Sequence, residues 1–365
     1  MDRRTPTEID LNKIGLYLHF PFCRRRCFYC HFFKVAYEPN FVGRYIRALV
    51  REIELRKNLR MEIETVYFGG GSPSLMKTDE LGKILDALHR SFTFGNAPEI
   101  TLEANPEDLS RAKLRFYLRS GINRISIGVQ SFCDSDLVYL KRNHTAADSE
   151  KSVGWTLDSG FENINIDLMI GLPGQTPSRI DQNISIIQRL SVPHVSVYML
   201  EGVFRGKTQP DDSRDHCLFH HVRRRLGESG YRQYEVSNYA RKGFRCRHNL
   251  TYWKDKPYIG VGASASGYGE GIDYRNLPGL GKYVSRLEKG RLPAAQERRI
   301  DPGIRRIITG LRLIGGIPAS AFAPFADPMQ FLLENGMLMR RGGNIAVPPE
   351  KILVLNEILG YFVPG

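Results

Sequence analysis

Short apolar runs alternate with helix-like stretches through the first part of the chain, and this order most narrowly limits what it can fold into. The runs are 16–20, 65–68, 100–103, 124–127, 164–168 and 194–198. The stretches between them, at 40–59, 78–91, 108–119, 146–159 and 176–189, are amphipathic. Strand then helix, repeated, implies parallel strands joined by crossovers. Six such units predict an α/β fold, a partial (β/α)6 barrel, in which functional residues sit at the carboxyl ends of the strands. The 365 residues suffice for such a barrel and a smaller appended unit. From about residue 205 the chain is rich in loops, and its end reads as a small helical, α+β or winged-helix-like module. The expected division is 1–204, 205–298 and 299–365.

With 42% apolar and 25% charged residues, the composition is that of a globular protein and not of a disordered or fibrous one. No apolar run approaches the roughly 18 residues needed to span a bilayer, and the first thirteen residues are polar, with no signal-peptide core. A cytoplasmic location is expected. The net charge of +13 favours anionic partners, but the basic residues are dispersed. Their densest runs, Arg24–Arg26 and Arg223–Arg225, are too short for a nucleic-acid tail, and no nucleic-acid partner is expected.

Three of the six cysteines stand together as Cys23, Cys27 and Cys30, with spacing CX3CX2C, in the loop after the first strand. A disulfide framework fits neither a reducing compartment nor the odd count. A structural zinc site wants four ligands and would need His31 as the fourth. Cys27-Phe28-Tyr29-Cys30-His31 also spells the attachment motif of c-type haem, which would leave Cys23 unexplained. Three thiolates on a 4Fe-4S cluster account for all three residues and leave one iron open to another ligand.

The stretch Leu16 to Cys23 followed by this spacing resembles the opening of the radical SAM proteins related to oxygen-independent coproporphyrinogen III oxidase, and the likeness continues for nearly the whole chain. The resemblance implies a 4Fe-4S cluster on Cys23, Cys27 and Cys30. Its open iron would chelate the methionyl part of S-adenosylmethionine (SAM), and reduction would yield a 5′-deoxyadenosyl radical. Gly69-Gly70-Gly71-Ser72-Pro73 follows the second strand and is similar to the family's GGGTP motif, which implies SAM contacts from Gly70, Gly71 and Ser72. Consecutive glycines there let backbone groups approach a ligand without a Cβ in the way. Residue by residue the likeness extends to Glu103, Gln130, Arg142 and Asp167, and Tyr17 and Tyr29 match SAM-contacting positions. A polar group buried at a strand end must be hydrogen-bonded by a ligand or by a neighbour, and both readings stand. In the oxidase, the residues matching Gln130, Arg142 and Asp167 are associated with a second SAM.

The oxidase carries a fourth cysteine two residues after the third, whereas this chain has Phe32. That departure resembles the HemW branch, whose members bind haem and are regarded as haem chaperones lacking the decarboxylating activity. The longer amino-terminal extension of the oxidase is also expected to be missing. His248-Asn249-Leu250-Thr251-Tyr252-Trp253 reads as the HNXXYW motif proposed for haem binding there, so the resemblance implies His248, Asn249, Tyr252 and Trp253 as haem residues. Imidazole commonly ligates haem iron, and aromatic rings offer flat apolar surface to a macrocycle. Tyr234 to Tyr239 and Gly260 to Ala265 are likewise similar to HemW segments, but Ser266 stands where many relatives have histidine.

Cys133, Cys217 and Cys246 show no ligand spacing and read as structural, as do His216, His220 and His221 beside Cys217. The resemblance implies a chaperone that binds haem as cargo and passes it to acceptor haemoproteins. Docking to respiratory complexes at the periphery of the inner membrane, an electron donor and a homodimer are compatible with it. Two enzymes compete with that reading: a coproporphyrinogen III dehydrogenase and a two-SAM radical methyltransferase.

Overall fold

The computed structural model describes residues 13–200 and 212–363. The expected boundary at 204/205 lies outside the described residues.

Six parallel strands form the centre of the sheet: β1 (Lys13–Phe20), β2 (Asn58–Gly70), β3 (Phe92–Ala104), β4 (Arg124–Gln130), β5 (Asn163–Ile170) and β6 (His194–Met199). Five helices connect them: α1 (Pro39–Leu55), α2 (Thr78–Ser91), α3 (Arg111–Arg119), α4 (Ala146–Asp158) and α5 (Pro177–Arg189). Local chemistry sets several helix starts. The Ser110 hydroxyl accepts from Lys113 N–H, Thr145 forms a capping box with Asp148, and Thr176 caps α5 ahead of Pro177.

Neighbouring strands in space are also neighbours in sequence. Right-handed crossovers between them place the five connecting helices on one face. The period-2 pattern shows both faces. Leu16, Leu18 and Phe20, then Val66 and Phe68, Ile125 and Ile127, and Ile164 and Ile166 form fully buried apolar rows. The alternate positions carry polar groups, among them Thr65, Thr101, Ser126, Asn165 and Ser196, and these too are buried. Each apolar side chain in such a row contributes roughly 1.5–3 kcal/mol by leaving water.

The sheet exceeds expectation on both edges. β7 (Arg232–Gln233) and β8 (Asn238–Ala240) extend it antiparallel beyond β6, with β8 next to β6. On the other edge β9 (Tyr258–Val261) lies parallel to β1 as a seventh parallel strand, followed by β10 (Ser266–Gly269), β11 (Ile272–Asn276) and β12 (Ala294–Arg299). The result is an open twelve-stranded sheet with β12 and β7 at its edges, and not a closed barrel.

The remaining helices are α6 (Asp212–Glu228), α7 (Arg247–Trp253), α8 (Leu280–Glu288), α9 (Pro302–Gly310), α10 (Ala326–Glu334) and α11 (Leu355–Gly360). The last three surround a small antiparallel sheet of Ile317–Pro318, Met339–Arg341 and Asn344–Ala346. This is the small carboxyl-terminal module expected from sequence.

Glu52 fastens the segment after residue 212 to α1. Its fully buried carboxylate accepts from Arg56 Nε (2.8 Å), Asn276 Nδ2 (2.8 Å), Gly262 N–H (2.9 Å) and the Tyr283 hydroxyl (2.5 Å).

Candidate functional site

The carboxyl ends of the strands open into a cavity of about 410 Å3. All three triad cysteines line it, together with Tyr29, Gly70, Gly71, Ser72, Glu103, Gln130, Arg142 and Asp167. Of the SAM-contacting residues expected from sequence, Tyr17 alone is not on this wall. It is turned inside the sheet, where its hydroxyl shares a 2.9 Å hydrogen bond with His19 Nδ1.

The cysteine loop is held on two sides. Phe22–Cys23 pairs with Val35–Ala36, and Tyr37 N–H donates to Cys23 O at 3.0 Å. Beneath it, Gly71 and Ser72 N–H donate to Phe20 and Phe22 O at 2.8 and 2.9 Å. A Cβ on Gly71 would stand 2.7 Å from Phe22 O, so at this position glycine is required by the cysteine loop itself and not by a ligand. Gly70 adopts φ +108°, and a Cβ there would meet the His19 ring at 2.4 Å.

A polar chain continues from this loop along the wall. Asn105 Nδ2 donates to Ser72 Oγ (2.8 Å), and Arg142 Nη2 donates to Asn105 Oδ1 (2.7 Å) and Gly128 O (2.9 Å). The other arm of the Arg142 guanidinium lies 3.6 Å from Cys27 Sγ. Sequence reading missed Asn105, although it stands two residues after Glu103 in the strand-end segment. Gln130 sits at a register shift in β4 with φ 67°, an unfavourable backbone for a non-glycine residue that recurs where side chains are aimed at ligands.

These residues fit a thiolate-bound cluster. The three thiols are free of disulfides, and Arg24, Arg25, Lys34 and Arg142 line the same cavity. Burial pushes the Cys23 thiol up to about 11, opposed by its hydrogen bond with Ser72 and the charge of Lys34. Metal binding would reverse that preference, because thiolates are the ligating form. The buried Nε of Arg142 has no hydrogen-bond partner among the described residues, leaving a donor on the cavity wall for a ligand acceptor.

Two carboxyls complete the electrostatics. Burial, with the Asp167 charge adding to it, raises Glu103 to about 7, against hydrogen bonds from the Tyr67 hydroxyl (2.9 Å) and Gly70 N–H (3.1 Å). Burial raises Asp167 as well, offset by Asn165 and Ser196. Two desolvated acids facing one cavity favour a cationic ligand.

The HNXXYW segment lies elsewhere. It forms α7, packed against the amino-terminal part of the strands, and none of His248, Asn249, Tyr252 and Trp253 lines the cavity. Glu99 accepts from Arg247 and His248 N–H, each at 3.0 Å, satisfying the first turn, and the thiol of Cys246 accepts from Asn249 N–H at 3.5 Å. The His248 ring is 1% exposed, and both nitrogens are engaged, Nδ1 with Thr65 Oγ1 (2.8 Å) and Nε2 with the Tyr252 hydroxyl (2.6 Å). Burial lowers its pKa to about 3. Ser266 is exposed on β10, away from the cavity wall. Phe32 is on that wall and 65% exposed.

Comparison with known proteins agrees with this geometry. The sequence model of the Radical SAM superfamily matches residues 17–186, which span β1 to α5. The chain is 34% identical to the heme chaperone HemW of Lactococcus lactis over 84% of its own length and 83% of that protein. The chain belongs to the HemW family. A second member, the heme chaperone HemW of Bacillus subtilis, is 31% identical across 95% of this chain and 98% of its own length. The structure of Escherichia coli coproporphyrinogen III oxidase (HemN), a radical SAM enzyme, superposes with a TM-score of 0.84 over 96% of this chain and 89% of that one, at 21% identity. The oxidase therefore shares the fold. Family membership carries a 4Fe-4S cluster and SAM with it. Among the described residues no helix is long and apolar enough to cross a membrane.

Proposed function

We propose that this chain is a haem chaperone of the HemW type, holding a 4Fe-4S cluster on Cys23, Cys27 and Cys30 with SAM beside it, and passing haem to acceptor haemoproteins. The observation that carries the reading is the 34% identity to a heme chaperone over most of both chains. Phe32 supports it, because the side chain at the place of the oxidase's fourth cysteine is an exposed ring on the cavity wall.

When bound, the cluster supplies one-electron reduction of the SAM sulfonium. The protein's own residues do the positioning. Glu103 and Asp167 would hold the positive methionyl amino group and sulfonium, Arg142 would offer its unpartnered Nε to the carboxylate, and Gly70 and Ser72 would line the close approach on the cavity wall. Gln130, Arg142 and Asp167 share this one cavity, so a second SAM would compete for the same walls.

His248, Asn249, Tyr252 and Trp253 are the proposed haem residues. Ligation by His248 requires its ring to exchange a hydrogen bond with Thr65 or Tyr252 for iron, which means α7 must shift from the sheet. An electron donor, haem acceptors in respiratory complexes and peripheral contact with the inner membrane belong to the same proposal.

The test uses anaerobically reconstituted protein loaded with haem and mixed with an apo-haemoprotein. The reading expects haem to appear in the acceptor, and no product when SAM, reductant and coproporphyrinogen are supplied. Conversion to protoporphyrinogen without haem transfer would establish the dehydrogenase instead.

A further inference from the structure

Outside the cavity, α6 carries two histidines one helical turn apart, and the proposed function uses neither. His216 is exposed and His220 half-buried, and their Nε2 atoms lie 3.1 Å apart, with ring centroids at 4.2 Å. Residues at i and i+4 share a helix face, but convergence of both outer nitrogens on one point is a matter of rotamers, and here it is present.

That spacing matches a chelate. Two nitrogens 3.1 Å apart, each 2.0–2.1 Å from a metal, subtend about 95–100° at the ion, between a square and a tetrahedral arrangement. Two of the three neighbouring arginines, Arg224 and Arg225, have their charges matched. Arg223 donates to Gln233, while Arg224 and Arg225 are held by Glu228 and Asp181. His221 is bonded to Asp181 and stands apart from the pair.

On the open side lies the turn Pro349–Val354 of the carboxyl-terminal module. Glu350 O is 3.4 Å from His216 Nε2. We propose that His216 and His220 clamp a borderline divalent transition-metal ion, of the Zn2+ or Ni2+ class, between α6 and the turn at Glu350. Among the described residues no third His, Cys, Asp or Glu side chain completes a set of three, so water and the main-chain oxygen of Glu350 would fill the remaining positions. The site is independent of the iron-sulfur cluster and fixes the carboxyl-terminal module to the helical layer.

The experiment is equilibrium dialysis of full-length protein against Ni2+ near neutral pH, after anaerobic reconstitution has occupied the cysteine triad, with bound nickel counted by mass spectrometry. One nickel per chain is expected. It should disappear in His216→Asn and in His220→Asn, remain in Cys217→Ser and His89→Asn, and raise the melting temperature of the wild type but not of His220→Asn. Stoichiometry unchanged in both histidine variants, loss in Cys217→Ser alone, or no nickel on the wild type would overturn the proposal.

Discussion

The ring of His248 lies flat against that of Tyr67, with centroids 5.1 Å apart and planes 24° from parallel. Tyr67 in turn donates its hydroxyl to Glu103 on the cavity wall. The segment proposed to take haem and the site proposed to take SAM are thus two contacts apart, although they lie at opposite ends of the strands.

Glu103 gives the native state a distinctive pH dependence. Its carboxyl is raised from 4.5 to about 7, so between these values the folded chain keeps a proton that the unfolded chain releases. Stability should fall as pH rises through this window, by on the order of 3 kcal/mol, and level off above it. Urea denaturation of the cluster-free protein against pH should show a flatter profile for Glu103→Gln. A wild-type and variant difference that stays constant from pH 4.5 to above 7 would contradict this.

Glu52 holds four partners in a buried site, and its removal strands Arg56, whose side chain is 12% exposed. Glu52→Ala should cost about 3–5 kcal/mol. Arg44 and Glu288 also form a two-bond ion pair, but each is about half exposed, and Arg44→Ala should cost roughly 0–1 kcal/mol. Denaturation midpoints of the two variants check the ordering.

At Gly71 the obstacle to a side chain is the main chain of the cysteine loop. Gly71→Ala should therefore destabilise the protein by about 1–3 kcal/mol and displace Cys23. Iron per chain after reconstitution should drop while the far-ultraviolet dichroism of the sheet and helices is retained. Full iron loading would show that the loop tolerates the methyl group.

Tyr252 occupies His248 Nε2 in this structure, the nitrogen proposed to ligate haem iron. Tyr252→Phe keeps the ring and removes the 2.6 Å hydrogen bond, so haem should bind about fivefold more tightly, the equivalent of ~1 kcal/mol. Weaker binding would mean that the hydroxyl itself contacts haem.

The strand and helix order was legible because outward apolar residues recur at period 2 and each helix has a readable start. The 78–91 segment coincides with α2 at both ends. β2 begins at Asn58, well before the apolar run at 65–68, because its polar first half is held by pairing to β1 and β3, which no local pattern announces. β9 escaped notice for a similar reason: Tyr258–Val261 reads as a glycine-rich loop until β1 offers it an edge. The cavity residues were legible as strand-end polar groups in family motifs. Tyr17 fell the other way because its alternation turns it to His19, and His248 because its partners, Thr65 and Glu99, come from strands far away in sequence. Cys217 is exposed, while Cys246 is buried and caps α7.

The most direct test of the account is a haem titration of anaerobically reconstituted protein, followed by its absorbance band. Saturable binding of one haem per chain is expected, lost or strongly weakened in His248→Ala while iron content stays at the wild-type level. Absence of any haem band in the wild type, or an unchanged titration in His248→Ala, would contradict it.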